Sequence, residues 1–369
     1  MSTVRRRATV VAALALLAMG AAACNSNKGS SSGGGGGGGS ASGTIALLLP
    51  ESQTTRYESF DRPLMEKKIR ELCSACKVAY FNANQQADQQ RQQAQTALAQ
   101  GAKVMILDPV NGATAGSIAN LAKAKNVPVV SYDRLIQNAD IDYYVSFDNE
   151  KVGKLQGTAL VDKLKSSGKT SGKIVMINGD IKDNNAKLFN KGAHSVLDSS
   201  GFTLDPKPDF FTPDWKPANA QSFMAAEIAK LGKTGFVGVY AANDGTAGGA
   251  IAAMRSAGVS PIPPVTGQDA ELAAIQRIIS GDQYMTVYKA YKPEADQAAQ
   301  LAVDLLRGNK PNASATVNNG TKDVPSFLLI PVAVTKDKVK DTIIKDGLWT
   351  VQQICTSAFA SACSAAGLS

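Results

Sequence analysis

The stretch VMILDPVNGATAGSIANLAKAKNVPVVSYDR, residues 104–134, contains the pattern that determines the fold class. Val104–Leu107 is a short apolar strand, a helix follows from about Thr114 to Lys125, and a second largely apolar strand covers Val127–Tyr132. Strands with apolar residues on both faces are typical of a parallel sheet that helices cover on both sides. The stretch therefore predicts one strand–helix–strand unit of an α/β sheet.

The same alternation of strands and helices continues on both sides of this unit, and about 325 residues from Thr44 onward are enough for two lobes. The other predicted strands are Ile45–Leu49, Val78–Phe81, Ile174–Ile177, Phe236–Tyr240, Val265–Gly267, Met285–Tyr288 and the extended segment Leu328–Val334. The other predicted helices are Phe60–Leu72, Ala87–Gln100, Glu150–Lys165, Asn185–Leu197, Ala220–Leu231, Thr246–Ala257, Ala270–Ser280 and Glu294–Leu306. The pattern predicts two doubly wound, parallel-sheet α/β lobes.

Polar side chains follow four of the predicted strands. Ligands of open α/β sheets bind beyond the carboxyl ends of the strands, so these positions are candidate ligand contacts. Their side chains form hydrogen bonds with hydroxyl groups, and none is a conventional nucleophile. The four groups are Asp133-Arg134, Asp183-Asn184-Asn185, Asn243-Asp244 and Gln268-Asp269.

The N-terminus has the pattern of a bacterial secretory signal. Three arginines at 5–7 precede the apolar stretch Val10–Met19, and three alanines at 21–23 lead into Cys24. The apolar stretch is too short and too rich in alanine for a permanent membrane span. Small residues directly before a cysteine resemble a lipobox, so residues 1–23 are predicted to be a signal peptide and Cys24 to carry a diacylglycerol. Cleavage to a free soluble protein is the alternative.

Residues 24–43 are predicted to form a flexible tether that begins at the lipidated cysteine. This segment is dominated by serine and by the run Gly33–Gly39, and it cannot bury apolar surface. A coil of ~18 residues has an r.m.s. span of roughly 20–25 Å. Glycine runs that bind phosphate follow a strand and open a helix, and this run does neither.

Charge and cysteine content narrow the function classes further. The formal net charge is +8, but three arginines belong to the signal and the lysines are scattered, which argues against nucleic-acid binding. Four cysteines remain beyond Cys24, an even number for an oxidising compartment. One CxxC with no second pair and no nearby histidine is weak support for a metal site. We predict two structural disulfides, Cys73–Cys76 and Cys355–Cys363, and no metal.

Several long segments, in consistent order from about Thr44 to Gly347, are similar to one known family. They resemble the type I periplasmic sugar-binding proteins of ABC importers, most closely the xylose-binding members. The segments are YDRLIQNADIDYYVSFDNEKVG at 132–153, DNNAKLF at 183–189, ANDGTAGGAI at 242–251, GQDAELAAIQRI at 267–278, MTVYK at 285–289 and NNGTKDVPSFLL at 318–329. The tail from Val351 has no counterpart in the family.

The resemblance implies the domain organisation and the partners. The family has two lobes joined by three crossing segments, expected near 148–149, 288–289 and 329–331. The lobes are then expected at 44–148 plus 289–328 and at 149–288 plus 329–369. The implied partners are a monosaccharide, D-xylose being favoured, a membrane permease and, through it, a cytoplasmic ATPase. The protein is expected to be a monomer outside the cytoplasm, anchored by lipid to the outer face of the cell membrane, with no cofactor and no nucleic-acid partner.

The sugar-binding residues implied by the resemblance are polar side chains with two aromatic platforms. Carboxylates accept hydrogen bonds from sugar hydroxyls, cations and amides donate them, and aromatic rings cover the C–H faces. Of the asparagine pair, one is expected to cap the following helix and the other to face the cleft. Asp269 is expected to combine binding with capping a helix at Ala270, and Trp215 to lie outside the core. The set is Arg56, Tyr57, Asp133, Arg134, Asn184, Asn185, Trp215, Asn243, Asp269 and Lys289.

Two other function classes fit the sequence poorly. His194 lies in the middle of a predicted helix, with no nucleophile and acid arranged around it, so catalysis is not expected. A sugar-responsive transcription regulator needs an N-terminal helix-turn-helix, where this chain has a signal. Ribose, arabinose, glucose or galactose as the ligand remains an alternative to xylose, and a membrane sugar sensor remains an alternative to an importer.

Overall fold

The computed structural model describes residues 42–368. The predicted signal peptide, Cys24 and nearly all of the predicted tether lie outside the described residues. Within residues 42–368, no helix is both long enough and apolar enough to cross a membrane.

The strands and helices alternate from the start of this range to about residue 306. The strands are β1 (Gly43–Leu49), β2 (Cys76–Asn82), β3 (Ala102–Leu107), β4 (Val129–Tyr132), β5 (Tyr143–Phe147), β6 (Lys173–Asn178), β7 (Thr203–Phe211), β8 (Gly238–Ala241), β9 (Met285–Tyr288), β10 (Ala315–Asn318), β11 (Asp323–Leu329) and β12 (Val332–Thr335). The α-helices are α1 (Arg62–Leu72), α2 (Ala87–Ala99), α3 (Gly116–Lys123), α4 (Asn149–Ser166), α5 (Asn184–Leu197), α6 (Pro217–Leu231), α7 (Asp244–Ser256), α8 (Leu272–Ser280), α9 (Tyr291–Leu306), α10 (Val351–Ile354) and α11 (Ala360–Ala365).

The first sheet has seven strands in the order β10-β11-β5-β4-β3-β1-β2, and all neighbours are parallel except β10 and β11. Strand β1 lies inside this sheet, so both of its faces are buried. Ile45 and Leu47 pack with α1 and α9 on one face, and Ala46 and Leu48 pack with α2 and α3 on the other. We call the part of the chain built on this sheet the first lobe.

The second sheet is built from β7, β6 and β8, which are parallel. Isolated bridges from Val239 to Val265 and from Gln268 to Val287 continue it towards β9, which pairs antiparallel with β12. The strand predicted at Val265–Gly267 is therefore reduced to single bridges. We call this part of the chain, with its helices and the segment after β12, the second lobe.

The two sheets confirm the predicted α/β fold class, and further features differ from the expectation. Strands β5, β7 and β10 were not predicted, and β7 contains two prolines and several polar residues that obscure its strand pattern. The single extended segment predicted at Leu328–Val334 is two strands, because β11 belongs to the first sheet and β12 pairs with β9. A π-helical turn, Tyr57–Asp61, precedes α1.

Helix α5, which carries predicted site residues, packs closely against α4. A Cβ atom at Gly153 would lie 1.9 Å from the carbonyl oxygen of Phe189, and one at Gly192 would lie 2.0 Å from that of Glu150. Only glycine permits this approach, so the two glycines allow α5 to pack closely on α4. The structure also joins Cys73 to Cys76 and Cys355 to Cys363.

Candidate binding site

A cavity lies between the two lobes, at the carboxyl ends of strands from both sheets. The space between its walls measures ≈ 270 Å³, open solvent included. Nearly all of the predicted site residues line it, and Asn184 is the exception. The lining residues are Thr54, Arg56, Tyr57, Asp133, Arg134, Asp183, Asn185, Phe189, Trp215, Asn243, Gln268, Asp269 and Lys289.

Of the asparagine pair, Asn185 lines the cavity, as expected for one of the two, but the expected helix cap is absent. Neither caps α5, because the N-cap is Asp183, whose Oδ1 accepts from the backbone N–H of Asn185 at 2.8 Å. Asn184 faces away from the cavity and accepts a hydrogen bond from Gln137 at 3.0 Å. The side chain of Asn185 reaches from the second lobe to the first, where its amide donates to the carbonyl of Asp133 at 3.0 Å.

Asp133 is the most strongly fixed carboxylate of the cavity wall. Arg56 Nη1 donates to its Oδ1 at 2.8 Å, Lys289 Nζ lies 3.7 Å from the same atom, and the Tyr57 hydroxyl donates to Oδ2 at 3.3 Å. Burial raises the pKa of this carboxyl, but the charges of Arg56, Lys289 and Arg134 outweigh burial and lower it to about 2. Asp133 is therefore a charged hydrogen-bond acceptor at any physiological pH.

Arg134 binds groups from both lobes. Its Nε lies 3.1 Å from Asp183 Oδ2 in the second lobe and 3.7 Å from Asp108 Oδ1 in the first. Its Nη2 also donates to the hydroxyl of Tyr57 at 3.1 Å. The residue is 3 % exposed, so the guanidinium offers fixed donors in a site from which water is largely excluded.

Asp269 and Lys289 form an ion pair in the wall of the cavity. Lys289 Nζ lies 3.2 Å from Asp269 Oδ1, which has no hydrogen bond of its own in the described range. Burial lowers the pKa of Lys289, but Asp269 and Asp133 more than compensate, so the pKa is raised and the amine stays charged. Asp269 does not cap a helix, because α8 begins at Leu272 with Glu271 as its N-cap.

Asn243 combines two roles. It caps α7 through its Oδ1, which accepts from the backbone N–H of Thr246 at 2.9 Å, and Thr246 returns a bond to the backbone of Asn243. Capping rigidly fixes the side chain at the end of β8, where it also lines the cavity.

Three aromatic side chains line the cavity, Tyr57 from the first lobe and Phe189 and Trp215 from the second. Trp215 is 5 % exposed and packs with Phe189 in the core of the second lobe, with ring centroids 6.4 Å apart at 66°. The expectation that Trp215 lies outside the core is therefore wrong, because Gly179 leaves room for the ring to enter. Its Nε1 donates to Asp183 Oδ2 at 3.2 Å.

Sequence reasoning missed two lining residues, Phe189 and Thr54. Asp183 and Gln268 are candidates by their position at strand ends, although the predicted sugar-binding set does not include them. Phe189 stands four residues after Asn185 on α5, which places both on the same face of that helix. Thr54 belongs to the loop after β1, for which the sequence offers no comparable signal.

A second layer of buried acids surrounds Arg56. Besides Asp133, its guanidinium binds Asp61 through Nε at 2.7 Å and Glu294 through Nη2 at 2.5 Å. Burial raises the pKa of Glu294 to about 8, with Arg56 opposing and Asp133 adding to the shift. Glu294 is therefore mainly protonated at neutral pH, which reduces the excess of negative charge around Arg56.

The described residues form no group of side chains that indicates metal binding. Across residues 42–368, no three histidine, cysteine or acidic side chains are grouped as metal ligands. His194 lies on α5 and bonds Asp198 at 2.8 Å and Asp209 at 2.7 Å. The cavity presents hydrogen-bond donors, hydrogen-bond acceptors and aromatic ring faces in fixed positions.

Comparison with known proteins assigns the chain to a family. The periplasmic binding protein domain matches residues 45–310. The D-xylose-binding periplasmic protein of Escherichia coli (strain K12) is 40% identical over 306 residues, which cover 82% of this chain and 90% of that protein. The protein of the same name from Haemophilus influenzae is 39% identical over 313 residues, covering 84% and 91%.

Two solved structures show the same fold with a ligand in place. An ABC transporter solute binding protein from Clostridium phytofermentans, with bound β-D-glucose, is 29% identical with a TM-score of 0.78, over 84% of this chain and 99% of that one. A carbohydrate transporter solute binding protein from Chloroflexus aurantiacus, in complex with D-glucose, is 30% identical with a TM-score of 0.76, over 84% and 97%. These relatives are solute-binding proteins, not enzymes. The chain therefore belongs to the periplasmic binding protein family and has its type I fold.

Proposed function

We propose that this chain captures a monosaccharide, D-xylose in preference to others, in the interlobe cavity and delivers it to an ABC importer. The observation that carries the proposal is the cavity itself, where buried charged and amide side chains surround Asp133 and three buried aromatic rings also line the walls. The two relatives at 39–40% identity, both named D-xylose-binding periplasmic proteins, support xylose.

The chemistry of the wall matches a pyranose. Asp133 and Asp269 accept from hydroxyls, while Arg134, Lys289 and the amides of Asn185 and Asn243 donate to them. The rings of Tyr57, Phe189 and Trp215 cover the C–H faces and exclude water. A sugar with one inverted hydroxyl leaves a buried group unpaired, which costs ~1–3 kcal/mol and weakens binding about 5- to 150-fold.

Release and capture require the two lobes to separate. Contacts across the cavity, such as Arg134 with Asp183 at 3.1 Å and Asn185 with Asp133, exist together only when the lobes are closed. A sugar that touches both lobes shifts the population towards that state. We propose a hinge at 148–149, 288–289 and 329–331, between lobes made of 44–148 plus 289–328 and of 149–288 plus 329–369.

Glucose is the second candidate ligand, because two solved relatives at 29–30% identity contain it. Arabinose, ribose and galactose present similar hydroxyls, and a membrane sugar sensor would use the same closed state as an importer. Isothermal calorimetry of the purified, oxidised protein against these five aldoses tests the proposal. We expect one-to-one binding that is tightest for xylose. Tightest binding of another aldose would overturn the xylose assignment, and folded protein that binds none would contradict the function.

We further propose that a diacylglycerol on Cys24 anchors a monomeric protein at the outer face of the cell membrane. A permease would accept the sugar there, and a cytoplasmic ATPase would drive its import. Intact mass of the mature protein tests the anchor, with a lipid-modified N-terminus at Cys24 as the expected result. The Cys24→Ala variant should leave the membrane fraction, and its retention there would contradict the anchor.

A further inference from the structure

Asp269 in the cavity wall and the next residue, Ala270, have a strained backbone conformation. Asp269 and Ala270 have φ values of 95° and 53°, which side chains with a Cβ rarely adopt. The Tyr291 hydroxyl donates to the carbonyl of Asp269, and Trp349 Nε1 donates to the carbonyl of Ala270 at 2.8 Å. Two aromatic side chains thus hold the turn that directs Asp269 into the cavity.

Both of these aromatic side chains pack against Phe60. The ring centroid of Phe60 lies 5.3 Å from that of Tyr291 and 5.1 Å from that of Trp349, the latter edge-to-face at 78°. Phe60 belongs to the π-helical turn before α1 in the first lobe, and Trp349 follows β12 in the second lobe. The Phe60–Trp349 contact therefore joins the two lobes outside the cavity.

The segment after Trp349 fixes this residue to the second lobe. Gln276 on α8 donates to the carbonyls of Gln353 at 3.2 Å and Ile354 at 3.3 Å. Ile354 and Cys363 are buried in the cluster that includes α8, and the Cys355–Cys363 disulfide closes the segment on itself. This anchor lies beyond residues 45–310, which match the family domain.

We propose that Trp349 and Phe60 form an interlobe latch that stabilises the closed state and that Trp349 is a positioning residue for Asp269. The inference rests on the proposed function, since it assumes a ligand held between closing lobes. The latch must break before the lobes separate, so it acts mainly on ligand release. Trp349 acts on the ligand site through its hydrogen bond to the carbonyl of Ala270, the residue after Asp269.

Stopped-flow kinetics with whichever aldose the protein binds provides the first test. Phe60→Ala and Trp349→Phe should each accelerate sugar dissociation two- to tenfold, the range expected for one aromatic pair, with association changed less than twofold. In the double variant the two accelerations should add incompletely, because both substitutions weaken the Phe60–Trp349 contact, and any acceleration beyond that of Phe60→Ala reports the lost hydrogen bond from Trp349 to Ala270. Phe359→Ala removes a tail aromatic that makes no ring contact with Phe60, and it should leave dissociation unchanged.

A second readout needs no sugar. The chain has two tryptophans, so Trp215→Phe leaves Trp349 as the only one. Adding Phe60→Ala to that variant should increase iodide quenching of Trp349, and adding Phe359→Ala should increase it less. Equal quenching with and without Phe60, or dissociation rates unchanged by Phe60→Ala, would overturn the latch. If the protein bound none of the aldoses, the proposed function would be overturned instead. The quenching experiment would still show whether Phe60 covers Trp349 across the lobes.

Discussion

Arg56 donates to Asp133 at 2.8 Å, and through this contact a residue of the loop after β1 orients the acceptor that follows β4. The same guanidinium binds Asp61 and Glu294, so one cation lies among three carboxyl groups that are all buried. A buried excess of negative charge is costly, and retention of a proton by Glu294 relieves it. Arg56 keeps Asp133 charged, and Glu294 is the carboxyl group whose protonation changes near neutral pH.

The free energy of unfolding should depend on pH through Glu294. Its pKa is raised from 4.5 to about 8 in the folded protein, so this contribution is fully present below pH 4.5 and is lost as the pH rises towards 8. One carboxyl contributes at most about 1.4 kcal/mol per pH unit. Urea unfolding at pH 5.5, 6.5 and 7.5 should show stability falling with pH, and Glu294→Gln should reduce that slope.

Asp244 and Glu271 also make the free energy of unfolding fall as the pH rises, because burial raises their pKa values to about 7 and about 8. Glu294→Gln should therefore flatten the pH dependence only in part. Glu71→Gln on the exposed face of α1 is the matched control and should leave the slope as it is. Equal slopes in the parent and Glu294→Gln would show that Glu294 is already ionised at pH 5.5.

The position of Trp215 depends on a glycine. A Cβ at Gly179 would lie 1.9 Å from Cη2 and 2.1 Å from Cζ2 of the indole, so Gly179→Ala must displace the ring. We expect sugar affinity to fall about tenfold, and stability by about 1–3 kcal/mol from overpacking. Calorimetry and thermal unfolding measure the two effects. In Gly245→Ala the added carbon has no neighbour closer than 3.4 Å, and affinity should be kept.

The C-terminal disulfide should stabilise the segment that carries Trp349. Cys355 and Cys363 are eight residues apart, and closing a loop of that length contributes about 2–3 kcal/mol. Replacing both cysteines by serine should lower the midpoint of thermal unfolding and shift Trp349 emission towards that of exposed tryptophan. The matched Cys73→Ser, Cys76→Ser variant should leave Trp349 emission unchanged. An unaltered midpoint in the C-terminal variant would contradict a stabilising role.

The site residues that could be predicted lie at the carboxyl ends of buried strands. Asp133 and Arg134 follow β4, and Asp269 lies just after Gln268, whose bridge continues the second sheet. The local sequence pattern identifies these positions, because it shows where each strand ends and an open sheet brings the carboxyl ends of its parallel strands together at one edge. Trp215 could not be placed in the core from its proline-flanked loop, since the space it occupies is created by Gly179 on a different segment.

The contacts around Arg56 could not be predicted for a similar reason. Glu294 is 238 residues away from Arg56 in sequence, and it appears in an ordinary amphipathic helix pattern. Glu294 becomes a buried partner of Arg56 because α9 packs onto the first lobe. Likewise, β7 was missed because its prolines and charges argue against a strand, whereas pairing with β6 overrides that local preference.

The affinity of Asp133→Asn for the best-bound aldose tests the central claim most directly. An asparagine side chain would keep the shape but lose a charged acceptor, so calorimetry should show binding at least tenfold weaker, consistent with about 1.5–3 kcal/mol for a hydrogen bond to a charged group. Asp140→Asn is the control, because this exposed carboxylate pairs with Lys123 and Lys322 on the surface. The account predicts loss of affinity in Asp133→Asn alone. Unchanged affinity in a folded Asp133→Asn protein would contradict it.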